Sequence, residues 1–266
     1  MSEHQVPSDE TFAEKNTKHF DKVAPGDWPQ WVLDLHKQTT DFLGSPEFPG
    51  WLGISPSEDR RRMLDYACGN GLISGSLSPL FSSVIGMDVS KSMLDKYQAT
   101  ASRLGLGPEE MRGVRGDLLG ADIQPTEPPL EESTLWDFDL VAISMALHHV
   151  EDPESAIKKL AARLKAGGKL LVIDWTPVDG STPAQREYQK ELERDGNRER
   201  IDGALMTHAA SHTISKPYGF TEQEMRDMFE EAGCRDMSWK IAEELTPIPV
   251  IEGLKSQLYF AAATKG

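Results

Sequence analysis

The stretch MLDYACGNGLIS, residues 63–74, runs from an apolar segment into a turn that contains Gly69 and Gly71. A helical pattern, LISGSLSPLF, follows over residues 72–81. Glycine allows positive φ angles and lets a ligand come close to the backbone, and the free N–H groups of the next helix would face that ligand. A tight turn without a ligand also selects glycine, so the stretch by itself predicts a strand, a turn and a helix.

Short apolar segments alternate with helical patterns along most of the chain. We predict strands over residues 62–67, 83–87, 111–116, 138–144, 169–174, 238–245 and 258–265. This alternation is typical of βαβ units, in which helices connect parallel strands of one sheet. The sequence therefore predicts an α/β fold whose ligand binds where the carboxyl ends of the strands meet the helix N-termini.

Three helices have clear start signals in the sequence. Ser90 is a candidate N-cap, Asp152 and Pro153 form an N-cap and first-turn pair, and Thr221 with Glu224 forms a capping box. The predicted stop signals are Gly105, Gly167 with Gly168, and Gly233.

Three stretches interrupt the alternation of strands and helices. Residues 1–48 are predicted to form a helical N-terminal cap, which leaves 49–266 as the main domain. Residues 120–136 form a Pro-rich acidic loop, and residues 177–219 form a long charged insertion after the fifth strand. Long insertions at strand ends usually cover the ligand, so we expect 1–48 and 177–219 to act as lids.

The composition narrows the partners of the chain. Its 266 residues include 28 Lys and Arg against 43 Asp and Glu, for a formal net charge of −15, which repels nucleic acid and anionic membranes. Cys68 and Cys234 are too few for a disulfide framework or a metal cluster, and we expect no bound metal. Without a targeting or membrane-spanning pattern, the chain is expected to be cytoplasmic, with the nucleus not excluded. A small-molecule substrate is favoured, and no protein partner is indicated.

Two acidic residues extend the glycine turn into a larger pattern. Asp88 ends the second predicted strand seventeen positions after Gly71, where a carboxylate can bind both hydroxyls of a ribose. Asp117 follows the third strand and could bind an adenine amino group beside Leu118. Alone, Asp88 could be a surface carboxylate that caps the next helix, and Asp117 could be an ordinary loop residue. Because they follow successive strands in order, together they favour a ligand with ribose and adenine.

Several motifs in the same order carry a family resemblance. They are LDYACGNG at 64–71, IGMDVSKSML at 85–94, GDLL at 116–119, FDLVAISMALHHVEDP at 138–153 and LKAGGKLLVID at 164–174. With them the chain resembles the class I S-adenosylmethionine-dependent methyltransferases, and among these the small-molecule enzymes of the ubiquinone and menaquinone biosynthesis type. The resemblance implies a Rossmann-like, seven-stranded and mostly parallel sheet with an antiparallel last strand, and helices on both faces.

The resemblance also implies which residues bind S-adenosylmethionine, the expected cofactor. The amino-acid part of the cofactor would lie against Asp65, Cys68, Gly69 and Gly71. The nucleoside would lie against Met87, Asp88, Val89, Asp117 and Leu118. The floor near the sulfonium would be formed by Ser144 and Met145. The segment FDKVAPGDW, residues 20–28, looks like a family segment that folds over the cofactor, with Trp28 one position later than the usual aromatic residue.

The expected reaction is methyl transfer to a small molecule by in-line displacement, so the protein must align the acceptor and, where needed, remove a proton. His148 and His149 are candidate bases because imidazole titrates near neutral pH, although both could be structural.

Aromatic and histidine side chains outside the motifs are candidates for the acceptor pocket. Trp28 and Trp175 could form its walls, although Trp175 could equally be a core residue. His208, His212 and Tyr218 in the insertion could reach the acceptor from above or could simply pack the lid. The spacing of His208 and His212 is the one arrangement that a metal site could use.

Two alternative functions remain open at this stage. An NAD(P)-dependent oxidoreductase shares the glycine turn and the ribose carboxylate, but Ser74 stands where the pattern GxGxxG has its third glycine. A non-catalytic regulatory protein could bind S-adenosylmethionine and act through a protein partner.

Overall fold

The computed structural model describes residues 10–24, 26–54, 60–120, 126–207, 213–248 and 251–266. Its strands form one sheet of seven, in the order β3-β2-β1-β4-β5-β7-β6. The strands are β1 Arg62–Tyr66, β2 Ser83–Asp88, β3 Met111–Arg115, β4 Phe138–Ser144, β5 Leu164–Thr176, β6 Cys234–Pro247 and β7 Lys255–Lys265. Strands β1 to β5 are parallel, while β7 runs antiparallel to β5 and β6. The predicted seven-stranded sheet with its antiparallel last strand is confirmed.

Helices cover both faces of this sheet. They are α1 Phe12–Val23, α2 Gln30–Leu43, α3 Phe48–Leu52, α4 Leu72–Leu77, α5 Lys91–Leu104, α6 Pro153–Ala162, α7 Pro183–Asp195, α8 Arg198–Thr207 and α9 Glu222–Glu231. The three predicted start signals are confirmed, because Ser90, Asp152 and Thr221 each accept a hydrogen bond from a backbone N–H three residues on. Among the described helices, none is long and apolar enough to span a membrane.

The end of α6 differs from the prediction that placed it at Gly167. Helix α6 ends at Ala162, and β5 already begins at Leu164. The pairing of β5 with β4 then jumps from Leu164 to Lys169, so the intervening residues form a bulge. Gly168 fits this bulge because a Cβ there would lie 2.8 Å from a carbonyl oxygen of β4. The glycine pair therefore marks an irregular strand instead of a helix end.

The buried core has two layers, one on each face of the sheet. Helices α6 and α9 contribute to the layer on one face, while α2, α3 and α4 contribute to the other. Leu35, Phe42 and Leu43 of α2 pack in this second layer with apolar residues of β4, β5 and β7. Helix α2 is thus part of the same core as the sheet, and the domain boundary at residues 48 and 49 remains a prediction.

Candidate functional site

A cavity of about 1520 Å³ lies at the carboxyl ends of the central strands, with α1 and α2 along its wall. The predicted site residues that line it are Trp28, Asp65, Cys68, Gly69, Met87, Asp88, Val89, Asp117, Ser144, Met145, His148, His149 and Trp175. Ligand pockets commonly measure about 300–1,000 Å³. The cavity therefore has room for a nucleoside-sized ligand together with a second molecule.

The two glycines of the turn after β1 have different functions. Gly69 has a φ of +51° and lines the cavity, and a Cβ built on it would meet nothing within 4 Å. Gly71 has a φ of +79° and is the N-cap of α4, and its Cβ would lie 2.9 Å from the Tyr97 ring. Gly71 does not line the cavity. The absence of a side chain at Gly71 makes room for the ring of Tyr97. Only Gly69 leaves open space where a ligand could approach the backbone.

Tyr97 of α5 supports the turn from below, a function that the sequence analysis missed. Its ring lies against Gly86 and Gly113 of the neighbouring strands, and a Cβ on Gly86 would approach it to 2.3 Å. The Tyr97 hydroxyl donates a hydrogen bond to Ser74 Oγ at 3.0 Å. A glycine on each of two adjacent strands, facing a helix with one tyrosine, is the sequence signal that could have indicated this packing.

Asp65 is a fully buried carboxylate that is tied to the same turn. Its Oδ2 accepts hydrogen bonds from Ser74 Oγ at 2.7 Å and from the Ser74 N–H at 3.1 Å. Ser74, the residue that replaces a third glycine, therefore links Asp65 to the start of α4. Burial raises the pKa of the Asp65 carboxyl from 3.8 to about 7, even though the bonds from Ser74 act in the opposite direction.

This raised pKa predicts a pH-dependent effect of Asp65→Asn on stability. The folded chain binds the Asp65 proton more tightly than the unfolded chain, so the free energy of unfolding falls as pH rises from about 4 to about 7. Asparagine stays neutral and can still accept both bonds from Ser74. One pH unit in this window is worth about 1.4 kcal/mol. The free energy of unfolding of Asp65→Asn, relative to that of the wild type, should therefore rise by roughly 2–3 kcal/mol between pH 5 and pH 7.5.

Urea unfolding of both proteins at the two pH values measures this gain. Asp95→Asn, on the exposed face of α5, is the matched control and should show no comparable change with pH. The raised pKa of Asp65 would be contradicted if Asp65→Asn and the wild type differed in stability by the same amount at both pH values.

Asp88 connects the end of β2 to the glycine turn. One carboxylate oxygen accepts the Gly69 N–H at 2.9 Å, and the other accepts the Ser90 N–H at 2.8 Å. Burial raises the pKa of Asp88, while these two bonds lower it. A carboxylate has about four acceptor positions, so each oxygen keeps a lone pair for a hydroxyl group.

Asp117 lies beside Asp88 at the carboxyl end of the next strand. Its Oδ1 accepts hydrogen bonds from the Tyr66 hydroxyl at 2.6 Å and from the Leu119 N–H at 2.8 Å. Leu118 does not line the cavity as predicted, because it is buried in the core layer beneath the sheet. The turn after β3 instead presents Leu119 to the cavity.

Helix α1 is held over the cavity by a few polar contacts. Asp21 accepts hydrogen bonds from Ser90 Oγ at 2.6 Å and from the Ser92 N–H at 3.1 Å. Asn16 donates to the carbonyl oxygen of His149 at 3.0 Å, and the Phe20 ring meets the His149 ring edge-on at 5.3 Å. These contacts join α1 to the start of α5 and to His149.

Trp28 follows α1 and lines the cavity next to α2. Its ring meets His36 edge-on at 5.9 Å, and Lys96 Nζ lies 4.9 Å from the ring centre. Burial lowers the pKa of His36. Trp28 thus forms an aromatic part of the wall, fixed by α2 on one side and α5 on the other.

The turn after β4 carries backbone strain at the cavity. Met145 has a φ of +52°, and Ala67 in the turn after β1 has a φ of +54°. Non-glycine residues rarely adopt this conformation, which costs about 1–3 kcal/mol and tends to occur at functional sites. Ser144 lies beside Met145, and both line the cavity.

His148 forms a pair with a carboxylate at the end of β5. Its Nδ1 lies 2.6 Å from Oδ1 of Asp174, which is fully buried. The Asp174 oxygens also accept the N–H of His148 at 3.1 Å and the N–H of Trp175 at 2.7 Å. Because a carboxylate only accepts, the Nδ1 proton is donated to Asp174 and Nε2 is the nitrogen that can take up a proton. The sequence analysis did not single out Asp174.

His149 has a different environment from His148, although the two rings are only 4.2 Å apart. Its Nδ1 lies 2.7 Å from the carbonyl oxygen of Thr213, a residue of the insertion, so Nδ1 donates its proton there. Burial, together with the neighbouring His148, lowers the pKa of His149 well below its ordinary value. These surroundings favour the neutral form of the His149 imidazole over its cation.

Trp175 and the insertion complete the candidate site. Trp175 lines the cavity, and its carbonyl oxygen accepts the Phe220 N–H at 2.8 Å. Contrary to the prediction, Tyr218 does not line the cavity. Its side chain points to solvent at 45% exposure, and its hydroxyl donates to Asp202.

His208 and His212 lie outside the described residues. Within those residues, no cluster of His, Cys, Asp or Glu could hold a metal ion.

Solved structures of one class of protein, the methyltransferases, share this fold. Magnesium protoporphyrin IX methyltransferase from Synechocystis, solved with bound S-adenosylmethionine, is 15% identical at a TM-score of 0.59, over 98% of this chain and all of that one. An S-adenosylmethionine-dependent methyltransferase from Anabaena variabilis is 18% identical at a TM-score of 0.55, over 97% of this chain and 96% of that one.

The sequence matches agree with this class. Residues 64–172 match the family model described as a methyltransferase domain. An uncharacterized methyltransferase of Schizosaccharomyces pombe is 37% identical over 42% of this chain and 38% of its own length. A ubiquinone biosynthesis O-methyltransferase of Coxiella burnetii is 32% identical over 42% of each chain. The chain spans about two fifths of the length of these curated relatives, and its residues 64–172 are similar to a methyltransferase domain.

Proposed function

We propose that the protein transfers a methyl group from S-adenosylmethionine to a small, uncharged acceptor and that His148 removes the acceptor's proton. The single observation that carries this proposal is the His148–Asp174 pair, which lines the same cavity as the Gly69 turn and Asp88. The oxidoreductase and the non-catalytic regulatory protein account for this arrangement less well. In particular, Ser74 is bonded to Asp65 where a dinucleotide fold would have a glycine.

The cavity fits S-adenosylmethionine on three grounds. The open space at Gly69 allows the amino-acid part to approach the backbone. Asp88 keeps free lone pairs for the two ribose hydroxyls, while Met87 and Val89 lie on either side of it for the adenine. Asp117 would bind the adenine edge, with Leu119 in the position expected for Leu118.

Asp65 acts on the turn through Ser74, and Ser144 and Met145 would lie near the sulfonium.

His148 is a better base than His149 because only His148 has a carboxylate partner. When bound, S-adenosylmethionine supplies a methyl carbon that the acceptor attacks as the bond from carbon to sulfur breaks. His148 takes the acceptor's proton at Nε2, and Asp174 stabilises the imidazolium that forms. The lowered pKa of His149 disfavours its cation, so we assign it to orienting the acceptor.

The charge of the wall supports a small molecule over nucleic acid as the acceptor. Glu14, Glu151 and Asp152 lie on the cavity wall near the histidines. Together with the net charge of −15, they disfavour a phosphate backbone. Trp28 and Trp175 would contact the acceptor, and a protein acting as a regulatory partner is not needed to explain the site.

Cofactor binding tests the proposal through Asp88→Ala. The variant loses two hydrogen bonds to ribose at about 1 kcal/mol each, so the Kd for S-adenosylhomocysteine should rise at least about tenfold. Calorimetric titration measures this change, and Asp95→Ala on the exposed face of α5 should bind as the wild type does.

Three results would count against the proposal. One is an unchanged Kd in Asp88→Ala, which would mean that the ribose lies elsewhere. The second is tight binding of NADH without binding of S-adenosylhomocysteine, which would favour the oxidoreductase. The third is cofactor binding without transfer of labelled methyl groups into any compound of a small-molecule extract, which would favour a regulatory protein.

A further inference from the structure

A turn between β6 and β7 forms an apolar wall of the cavity. We call the described residues between these two strands, 248 and 251–254, the β6–β7 turn. Ile248, Ile251 and Leu254 line the cavity. The turn is held by backbone hydrogen bonds, from the Ile248 N–H to the Leu254 oxygen at 2.8 Å and from the Leu254 N–H to the Ile251 oxygen at 3.0 Å. It therefore presents these side chains in a fixed arrangement.

The wall around this turn is also apolar. Trp31 and Leu35 of α2 line the same cavity, as does Trp175, which directly follows Asp174. Among the described residues that line the cavity, Arg115 is the one with a cationic side chain, and it belongs to β3 on the far side of the sheet. A carboxylate or phosphate at the cavity side of the β6–β7 turn would have no Lys or Arg counter-charge among the described lining residues there, so burying it would be unfavourable.

Helix α7 of the insertion holds the β6–β7 turn in place. Tyr188, which is 4% exposed, donates its hydroxyl proton to the Gly253 oxygen at 2.7 Å and accepts the Lys255 N–H at 3.0 Å. Lys255 also pairs with Glu191 of the same helix at 2.6 Å. In addition, Arg200 of α8 donates to the Glu252 oxygen at 2.9 Å. The insertion thus supports the apolar wall from outside.

We propose that the acceptor carries an uncharged, non-polar group that packs against Ile248, Ile251 and Leu254, and that Tyr188 is a positioning residue for this wall. The inference rests on the proposed function, because it places the reactive group of the acceptor at His148 and its non-polar part toward the β6–β7 turn. It assigns the insertion a part in acceptor selection, although α7 supplies no side chain to the cavity wall.

Two fluorescent probes of matched shape test the charge preference. N-phenyl-1-naphthylamine is neutral, and 8-anilinonaphthalene-1-sulfonate adds one negative charge to nearly the same rings. With the protein saturated in S-adenosylhomocysteine, the Kd of the neutral probe should be at least about tenfold lower than that of the anionic probe, because no Lys or Arg among the described lining residues near the turn balances the sulfonate. Equal or tighter binding of the anionic probe would overturn the proposal.

Leu254→Asp places a charge in the wall itself. We expect it to weaken binding of the neutral probe about tenfold or more while S-adenosylhomocysteine binds as before. Leu33→Asp is the matched control, since Leu33 on α2 is 44% exposed and does not line the cavity. Probe binding by Leu254→Asp equal to that of Leu33→Asp would place the non-polar group elsewhere.

Tyr188→Phe tests the supporting role with a change of one oxygen atom. We expect it to weaken binding of the neutral probe by about two- to tenfold, because the turn loses two hydrogen bonds. Tyr218→Phe, in the same insertion but exposed to solvent, should bind the probe as the wild type does. Identical probe binding by both variants would remove Tyr188 from the proposal.

The two proposals fail in different ways. Binding of S-adenosylhomocysteine without binding of the neutral probe contradicts only the apolar wall. Binding of the probe that depends on Leu254, without binding of S-adenosylhomocysteine, contradicts the proposed function and leaves a site for a non-polar ligand. A melting temperature for each variant excludes misfolding as the cause of a loss.

Discussion

His148→Ala should reduce methyl transfer by about 10²- to 10⁴-fold, which is the usual contribution of a positioned general base. The variant removes the imidazole whose Nδ1 is hydrogen-bonded to Asp174 on the cavity wall. Transfer of labelled methyl groups into an extract of small molecules measures the rate. The steep pH dependence that a general base imposes on the rate should also disappear.

The cofactor site is the internal control for this prediction. Calorimetry should show the same Kd for S-adenosylhomocysteine in His148→Ala as in the wild type, because Asp88 and Gly69 are unchanged. Asp174→Asn should lose activity in the same direction, since an amide cannot stabilise an imidazolium as a carboxylate does. A His148→Ala protein that keeps most of its activity would show that the acceptor needs no base, or that another residue supplies one.

Gly219→Ala should destabilise the fold by roughly 2–6 kcal/mol, the sum of about 1–3 for strained φ and about 1–3 for a steric clash. Gly219 has a φ of +75°, and a Cβ there would lie 1.8 Å from the carbonyl oxygen of Trp175. The backbone fixes the positions of both the Cβ atom and the carbonyl oxygen, so no rotation of a side chain can relieve this contact. Urea unfolding measures the loss.

Gly105→Ala is the matched control for this substitution. Gly105 ends α5 with a φ of +72°, but a Cβ there meets nothing within 4 Å. Gly105→Ala should therefore cost only the roughly 1–3 kcal/mol of the left-handed conformation, without the added cost of a steric clash. Equal losses in the two variants would mean that the insertion does not approach Trp175 as closely as the structure indicates.

Local signals in the sequence were sufficient for most of the fold. The caps at Ser90, Asp152 and Thr221 involve residues three positions apart, so their hydrogen bonds can be predicted from the sequence alone. The bulge in β5 could not be predicted in this way. Gly167 and Gly168 are compatible with a helix end and with an irregular strand, and the choice depends on pairing with β4.

The site was less predictable because its geometry depends on distant residues. His148 was identified from its motif, but its partner Asp174 lies 26 residues away on another strand. Tyr97 supports Gly71 from a helix that begins after the next strand. Leu118 and Leu119 are adjacent leucines, and only the direction of the turn decides which of them reaches the cavity. Such relations arise from tertiary packing, which no local pattern contains.

Helix α1 has no buried residue, although it covers the cavity. Asp21 and Asn16 hold it through hydrogen bonds to Ser90, Ser92 and His149 that are worth about 1 kcal/mol each. Lifting this helix therefore costs much less than the roughly 5–15 kcal/mol that unfolding of a domain requires. Displacing α1 alone would therefore open the cavity for the exchange of product and fresh substrate while the sheet stays assembled.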